Sequence, residues 1–170
     1  MNAGAVAPPG FEEAFRALYP RALGVARRIL GDAALAEDVT AEAWVRTFVR
    51  WRRVRDLPHR DGWVLRVTTN LALDAARNRA RPARAVATRA PAEEADVVAM
   101  RAALVAALAS LPRRQRDAIA LRFLGDLSEA DTALAMGVSA GAVKTHVHRG
   151  IASLRERFGP TLEETFDVHI

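Results

Sequence analysis

A helix, a tight turn and a second helix are predicted over residues 126–157, and this pattern constrains the fold more than any other stretch. Ser128 lies three residues before Asp131, a spacing typical of a capped helix start. Gly137 suits the left-handed conformation in which helices often end, and Ser139 can cap the next helix. The stretch therefore predicts a helix-turn-helix motif.

The second helix of this motif has two different faces. Apolar residues recur every three or four positions and predict one buried stripe, formed by Val143, Val147, Ile151, Leu154 and Phe158. The outward positions carry cations and short hydrogen-bonding side chains, namely Lys144, Thr145, His148, Arg149 and Arg155. Such side chains suit base edges and phosphates in the DNA major groove, so this face is predicted to bind DNA. A plain helical hairpin with a solvated face is the alternative.

The composition favours an all-α protein. Ala, Leu, Arg and Glu are abundant, and no stretch shows the alternation of a half-buried strand. The chain contains no cysteine, which excludes disulfides and thiolate metal sites and fits a reducing cytoplasm. The first residues do not resemble a signal peptide, and the longest apolar run, residues 97–111, is too short to span a bilayer. A cytoplasmic protein without membrane insertion is expected.

Two small helical domains joined by a flexible linker are predicted, the C-terminal one being the helix-turn-helix. The boundaries are a disordered N-terminus at 1–10, a first domain at 11–80, a linker at 81–93, a second domain at 94–158 and a tail at 159–170. Helices are expected at 11–30 with a break at Pro20, at 33–54, at 61–80, at 92–110 and from Pro112 to about 123.

Charges of opposite sign are segregated within the first domain. Residues 44–84 hold eleven arginines against three aspartates, a footprint typical of polyanion binding. Residues 32–43 hold four acids and no base. This segregation indicates two different partners.

The helix at 33–54 is predicted to bury one face and present another to a partner. The core face comprises Thr40, Ala43, Trp44, Thr47, Phe48 and Trp51. The opposite strip comprises Asp38, Glu42, Val45 and Val49. The alternative to partner binding is that the two acids only stabilise the helix N-terminus through the helix dipole and that the two valines are ordinary exposed residues.

The helix at 61–80 is predicted to contact DNA opposite its core stripe. The stripe comprises Trp63, Val64, Val67, Leu71 and Ala75, and the other side carries Arg66, Asn70, Leu73 and Arg77. An amide between two arginines can bond a base edge while the cations hold phosphates. A merely solvated basic face is the alternative.

Catalytic and metal sites are not predicted. His146 and His148 are two residues apart on a helix and point in nearly opposite directions, so they cannot chelate one ion. The sequence has no cysteine nucleophile, no phosphate-binding glycine loop and no His-Glu-x-x-His motif. We therefore expect a protein without enzymatic activity, metal or cofactor.

Three stretches together resemble the extracytoplasmic-function sigma factors of bacterial RNA polymerase. They are AEDVTAEAW at 36–44, RDGWVLRVTTNLALD at 60–74, and LPRRQR at 111–116 followed by residues 127–149. The resemblance runs over residues 11–158 in the family's order. It departs at Ala41, where the family commonly has glutamine, and at the segment 141–145.

The resemblance implies a promoter-specificity subunit with named roles for these residues. Asp38, Glu42, Val45 and Val49 would face the polymerase core, and the resemblance places their helix on the β′ clamp. The β flap is the other part of the core that the protein is expected to meet. The minus-ten element would be bound by Arg66, Asn70 and Arg77, and the minus-thirty-five element by Lys144, Thr145, His148, Arg149 and Arg155. An anti-sigma factor is a further expected partner. The alternatives are a LuxR-like helix-turn-helix regulator, which leaves the first half unexplained, and an adaptor that binds polymerase or an anti-sigma factor without reading promoters.

Overall fold

The computed structural model of the protein describes residues 7–80 and 92–158. Within these ranges every regular element is helical, which confirms the all-α prediction. The helices are α1 (Phe11–Leu30), α2 (Ala33–Val49), α3 (Trp51–Val54), α4 (Arg60–Ala80), α5 (Ala92–Ser110), α6 (Arg113–Ile119), a π turn (Ala120–Leu124), α7 (Glu129–Met136) and α8 (Ala140–Phe158). Residues 1–6 of the predicted disordered terminus, 81–91 of the predicted linker and the tail at 159–170 lie outside the described residues.

Helix α1 continues through Pro20, so the predicted break there is wrong. Proline removes one backbone donor and crowds the preceding turn, which normally interrupts a helix. In α1, however, Leu18 and Ala22 are buried on either side of Pro20, while the proline itself is exposed. Burial of the apolar side of α1 therefore outweighs the local penalty.

The Pro20→Ala variant should be more stable than the natural protein by about 2 kcal/mol, because alanine restores the missing donor and removes the clash. Urea denaturation followed by circular dichroism would measure this difference. Pro58→Ala, in the loop before α4, is the matched control and should gain nothing comparable. An unchanged midpoint for Pro20→Ala would mean that α1 accommodates the ring without penalty.

The helix predicted at 33–54 divides at Arg50, whose φ of −102° and ψ of 7° are not helical. The division lets the Trp51 indole donate a hydrogen bond of 3.0 Å to the Pro9 carbonyl, so the predicted disorder does not extend to that residue. Phe11 packs edge-on against both Trp51 and Phe48. Phe48, predicted to be buried, is 39% exposed because it lies at the rim of this aromatic cluster.

Helix α4 lies at the centre of the molecule and packs against α1, α2, α5 and α7. One continuous apolar core includes Leu65 and Leu73 of α4, Leu108 of α5 and Leu127 before α7. Leu73 was predicted to face outward but is only 2% exposed, because it lies within this core. The two predicted domains are thus in direct contact.

The helix-turn-helix is formed by α7 and α8, as predicted. The Ser128 hydroxyl accepts a hydrogen bond of 3.0 Å from the Asp131 amide and caps α7. Gly137 ends α7 with a φ of +65°, a conformation that favours glycine. The Ser139 hydroxyl accepts from the Ala142 amide at 3.2 Å and begins the next helix.

Candidate nucleic-acid interface and partner-binding surface

Helix α8 exposes the polar face that the sequence predicts. Its outward side chains are Lys144, Thr145, His148, Arg149 and Arg155, all of them exposed. The Lys144 ammonium lies 4.0 Å from a Glu129 carboxylate oxygen, a loose surface pair. The Thr145 hydroxyl donates to the Gly141 carbonyl at 3.0 Å, which fixes its rotamer. This face offers three cations, a hydroxyl and an imidazole on a rigid helix, the chemistry needed at a DNA groove.

The orientation of α8 depends on a close contact with α6 at Gly150. A Cβ atom at this position would lie 2.5 Å from Ile119 Cδ1 and 3.3 Å from Gln115 Cβ, so a larger residue would require these α6 side chains to shift. Val143 and Leu154, on the same buried side, are each 1% exposed. Gly150 was not identified as a site residue, although a glycine within a helix interior often marks a close approach.

The predicted DNA-binding residues of α4 do not share one exposed face. Arg77 is exposed and forms an ion pair with Asp74, while Asn70 is half-buried. Arg66 was predicted to point outward, but its guanidinium is half-buried and donates to the Ala135 carbonyl of α7 at 2.7 Å. The reason is that α7 packs over the first turns of α4. This long-range contact cannot be predicted from the local sequence pattern.

Arg66 lies in a buried electrostatic cluster with Asp117 of α6. Burial lowers the pKa of the Arg66 guanidinium, and the nearby Asp117 carboxylate opposes this shift. Burial raises the pKa of the Asp117 carboxyl and outweighs the attraction of Arg113, Arg116, Arg66 and Arg114. The separation between Arg113 Nε and Asp117 Oδ2 is 3.8 Å, longer than a good hydrogen bond. The ionised form of Asp117 is therefore energetically unfavourable in this cluster.

Asp117 should make the stability of the fold decrease as the pH rises. The pKa of the Asp117 carboxyl is higher in the native state than in the unfolded state, so the protonated carboxyl favours the native state. This contribution to stability is fully present below the unfolded-state pKa near 3.8 and is lost as the pH rises through the native pKa. Asparagine cannot ionise, so the free energy of unfolding of Asp117→Asn should gain on that of the natural protein between pH 4 and 7, by about 1.4 kcal/mol for each pH unit that separates the native from the unfolded pKa of Asp117. Urea unfolding across this range would measure it.

Asp96→Asn, which alters an exposed carboxylate on α5, is the matched control and should show no comparable trend with pH. An advantage of Asp117→Asn that is constant or shrinks as the pH rises would contradict the expected burial of a charged carboxylate.

Helix α2 presents the predicted acidic and apolar strip to solvent. Asp38 and Glu42 are exposed, and Glu42 pairs with Arg46 at 2.8 Å. Val45 is 57% exposed and Val49 is 75% exposed. Phe48 lies three positions after Val45 and extends these two valines into one surface, here called the α2 apolar patch. Sequence reasoning assigned Phe48 to the core because it shares a helical period with Trp44.

The described residues contain no group of three or more His, Cys, Asp or Glu side chains that could hold a metal ion. Among the same residues, none of the helices is both long and apolar enough to cross a membrane.

The sequence matches two protein families in chain order. Residues 14–82 match Sigma-70 region 2, and residues 101–154 match Sigma-70, region 4. The first match covers α1 to α4, the part of the chain that a LuxR-like interpretation leaves unexplained. The second covers the helix-turn-helix.

Curated relatives and a solved structure agree with these matches. The chain is 36% identical to the RNA polymerase sigma-E factor of Streptomyces coelicolor over 151 residues, covering 86% of this chain and 84% of that protein. It is 33% identical to the ECF RNA polymerase sigma factor SigE of Mycolicibacterium smegmatis, over 94% of this chain and 65% of that one. The sigma factor RpoE of Bartonella quintana, solved with the anti-sigma factor NepR, shares the fold with a TM-score of 0.53 and 20% identity, over 88% of this chain and 96% of that chain. The protein belongs to the extracytoplasmic-function sigma factors of the sigma-70 family.

Proposed function

We propose that this sigma factor directs RNA polymerase to promoters by holding the core enzyme with α2 while α4 and α8 read the DNA. The observation that carries the proposal is the presence of regions 2 and 4, in order, in one chain. Each region carries an accessible surface of suitable chemistry, the acidic and apolar strip on α2 and the cationic face of α8. Proteins of this family are promoter-recognition subunits of the polymerase.

The outward face of α8 would bind the minus-thirty-five element. Lys144 and Arg149 would contact phosphates or guanine edges, while Thr145 and His148 would contact neighbouring bases. Arg155, about four turns from the start of the helix, would contact the backbone. Capping by Ser139 and burial of Val143 hold this helix rigid, which keeps these contacts in register.

Helix α4 would bind the minus-ten element once the duplex opens. Asn70 is proposed to bond a base taken out of the stack, and Arg66 and Arg77 to hold the backbone on either side. Extracting a base costs a few kcal/mol of stacking, which a fitted pocket has to offset. Arg66 would first have to leave the Ala135 carbonyl.

Three kinds of partner follow from the proposal. The α2 strip would meet the β′ clamp of the polymerase core, and the second half would meet the β flap. Promoter DNA is the second partner. The third is an anti-sigma factor, by analogy with the Bartonella sigma factor solved with NepR. The protein would act in the cytoplasm, where the polymerase works, and would catalyse no reaction itself.

In vitro transcription is the direct test. Sigma-free core polymerase from the same source would be supplied with the protein over a library of candidate promoters. Transcripts that are absent with core alone would support the proposal, and Asn70→Ala or Arg149→Ala should then reduce initiation while leaving core binding intact. If both variants initiate as the natural protein does, the assignment of the DNA-reading residues is wrong. Core binding without transcripts would favour an adaptor.

A further inference from the structure

Lys144 is the only lysine of the chain, which contains 24 arginines. A lysine amine becomes a nucleophile once it loses its proton and then accepts acyl groups, whereas the delocalised arginine guanidinium stays protonated and does not. The chain also lacks cysteine, the other side chain that commonly takes acyl groups. Lys144 therefore carries the one side-chain amine of this sequence that can be stably acylated.

The amine of Lys144 is open to reagents in solution. Its side chain is 74% exposed, and its ion-pair partner is a Glu129 carboxylate oxygen at 4.0 Å. This distance is longer than a hydrogen bond, and such surface pairs hold their partners only weakly. The amine can therefore leave Glu129 and turn toward a molecule that approaches α8 from solvent.

A group that can accept the proton of this amine lies one helical turn further along α8. His148 follows Lys144 by four positions, and both side chains are exposed. Residues at this spacing share a helix face, with about 5–6 Å between their Cβ atoms. Histidine is the side chain best suited to exchange protons near neutral pH. The helix thus places a general base beside the nucleophile.

Arg149 supplies a phosphate-binding group next to the same pair. It is exposed, and within the part of the chain that the structure describes it has no hydrogen-bond or ion-pair partner. A free guanidinium binds phosphate oxygens in a bidentate manner. The chemistry that suits a DNA phosphate equally suits the phosphoryl group of a small acyl phosphate. Residues 144–149 therefore bring an amine, a base and a phosphate-binding cation together within about two turns.

We propose that Lys144 is an acylation site that acyl phosphates modify, and that its acylation weakens the binding of α8 to the minus-thirty-five element. The Lys144 Nζ lone pair attacks the acyl carbon, the bond between that carbon and the phosphate oxygen breaks, and inorganic phosphate leaves with the bonding electrons. Of the two protons that the ammonium loses, His148 accepts the first and passes it to solvent, and the departing phosphate takes the second. The product is a neutral amide, and no oxidant or reductant is consumed.

Acylation changes the charge of the DNA-binding face by more than the loss of a contact. Lys144 and Glu129 together carry no net charge, whereas acyl-Lys144 leaves the Glu129 carboxylate without its cation. A negative charge beside the DNA backbone repels the phosphates. This consequence rests on the proposed function of α8, whereas the acylation itself depends only on the arrangement of Lys144, His148 and Arg149.

The acylation would be measured on the full-length protein with acetyl phosphate as the probe. Mass spectrometry of proteolytic fragments would give the modified residue and its rate of modification. We expect the acetyl group on Lys144, and a rate about tenfold lower in His148→Gln and in Arg149→Gln, a modest effect for an exposed base. His146→Gln, at a half-buried position on another side of α8, and Arg16→Gln, on α1, are the matched controls and should not change the rate.

The effect on DNA would be measured by acetylating the protein before it is combined with core polymerase. Promoter binding by the natural protein should weaken by about tenfold, the loss of one charge-assisted contact. Lys144→Arg keeps a cation but accepts no acyl group, so its affinity should be the same before and after treatment. Glu129→Gln should lose less affinity on acetylation than the natural protein, because no carboxylate is left unpaired.

The outcomes distinguish the acylation site from the proposed function. An acetyl group found only at other positions, or equal rates in all four rate variants, would overturn the site, because a merely exposed amine needs neither His148 nor Arg149. Acetylation of Lys144 without a change in promoter binding would overturn its regulatory effect. If the unmodified holoenzyme binds no promoter, the proposed function falls, while the rates measured on the free protein still decide whether the site exists.

Discussion

Replacing Val45 and Val49 together by glutamate should weaken binding to core polymerase by about 100-fold or more, because a charge buried in an interface without a partner costs several kcal/mol. The two valines are 57% and 75% exposed, so their replacement should not disturb the fold of the free protein. With Phe48 they form the α2 apolar patch, whose exposure is otherwise unexplained. Fluorescence anisotropy with labelled protein and sigma-free core would measure the affinity.

Val98→Glu provides the matched control for this variant. Val98 is 59% exposed on α5, far along the chain from the α2 apolar patch, and it accepts the same chemical change. Core binding should be preserved in Val98→Glu and lost in the double variant. If the double variant binds core as tightly as the natural protein, the two valines are harmless surface residues and the polymerase contacts some other surface.

The helix-turn-helix could be predicted from the sequence because its determinants are local. Ser128, Gly137 and Ser139 act on residues within four positions of themselves, and the 3.6-residue period then assigns the faces of α8. Pro20 shows the opposite case. Its local penalty was correctly recognised, but burial along α1 decides the outcome, and that burial depends on helices distant in the sequence.

The face of α4 could not be assigned correctly because α4 is covered on more than one side. A single amphipathic stripe describes a helix with one buried face, whereas α4 contacts the first half and the second half at once. Leu73 and Arg66 were therefore both placed outward. Leu73 is buried, and Arg66 is committed to the Ala135 carbonyl. The long-range contact that changes their roles has no counterpart in local periodicity.

The double variant Lys144→Ala and Arg149→Ala should lose promoter binding by holoenzyme and make the remaining binding less sensitive to salt. Each phosphate contact that is removed should reduce the slope of log K against log salt concentration by about 0.9. If one of the two residues instead reads a guanine, its loss costs about 1–3 kcal/mol and relaxes specificity at one position only. Filter binding or anisotropy at several salt concentrations, on natural and mutated minus-thirty-five sequences, would separate these effects.

The variant Arg16→Ala with Arg27→Ala controls for charge, because it also removes two positive charges, but from α1 instead of α8. A general electrostatic attraction would weaken equally in both double variants, because it depends on the total charge rather than on the position of each cation. A groove contact by α8 would weaken only in Lys144→Ala with Arg149→Ala. Equal losses would therefore remove α8 from its assigned role, whereas a loss confined to the α8 variant would place these two residues at the minus-thirty-five element.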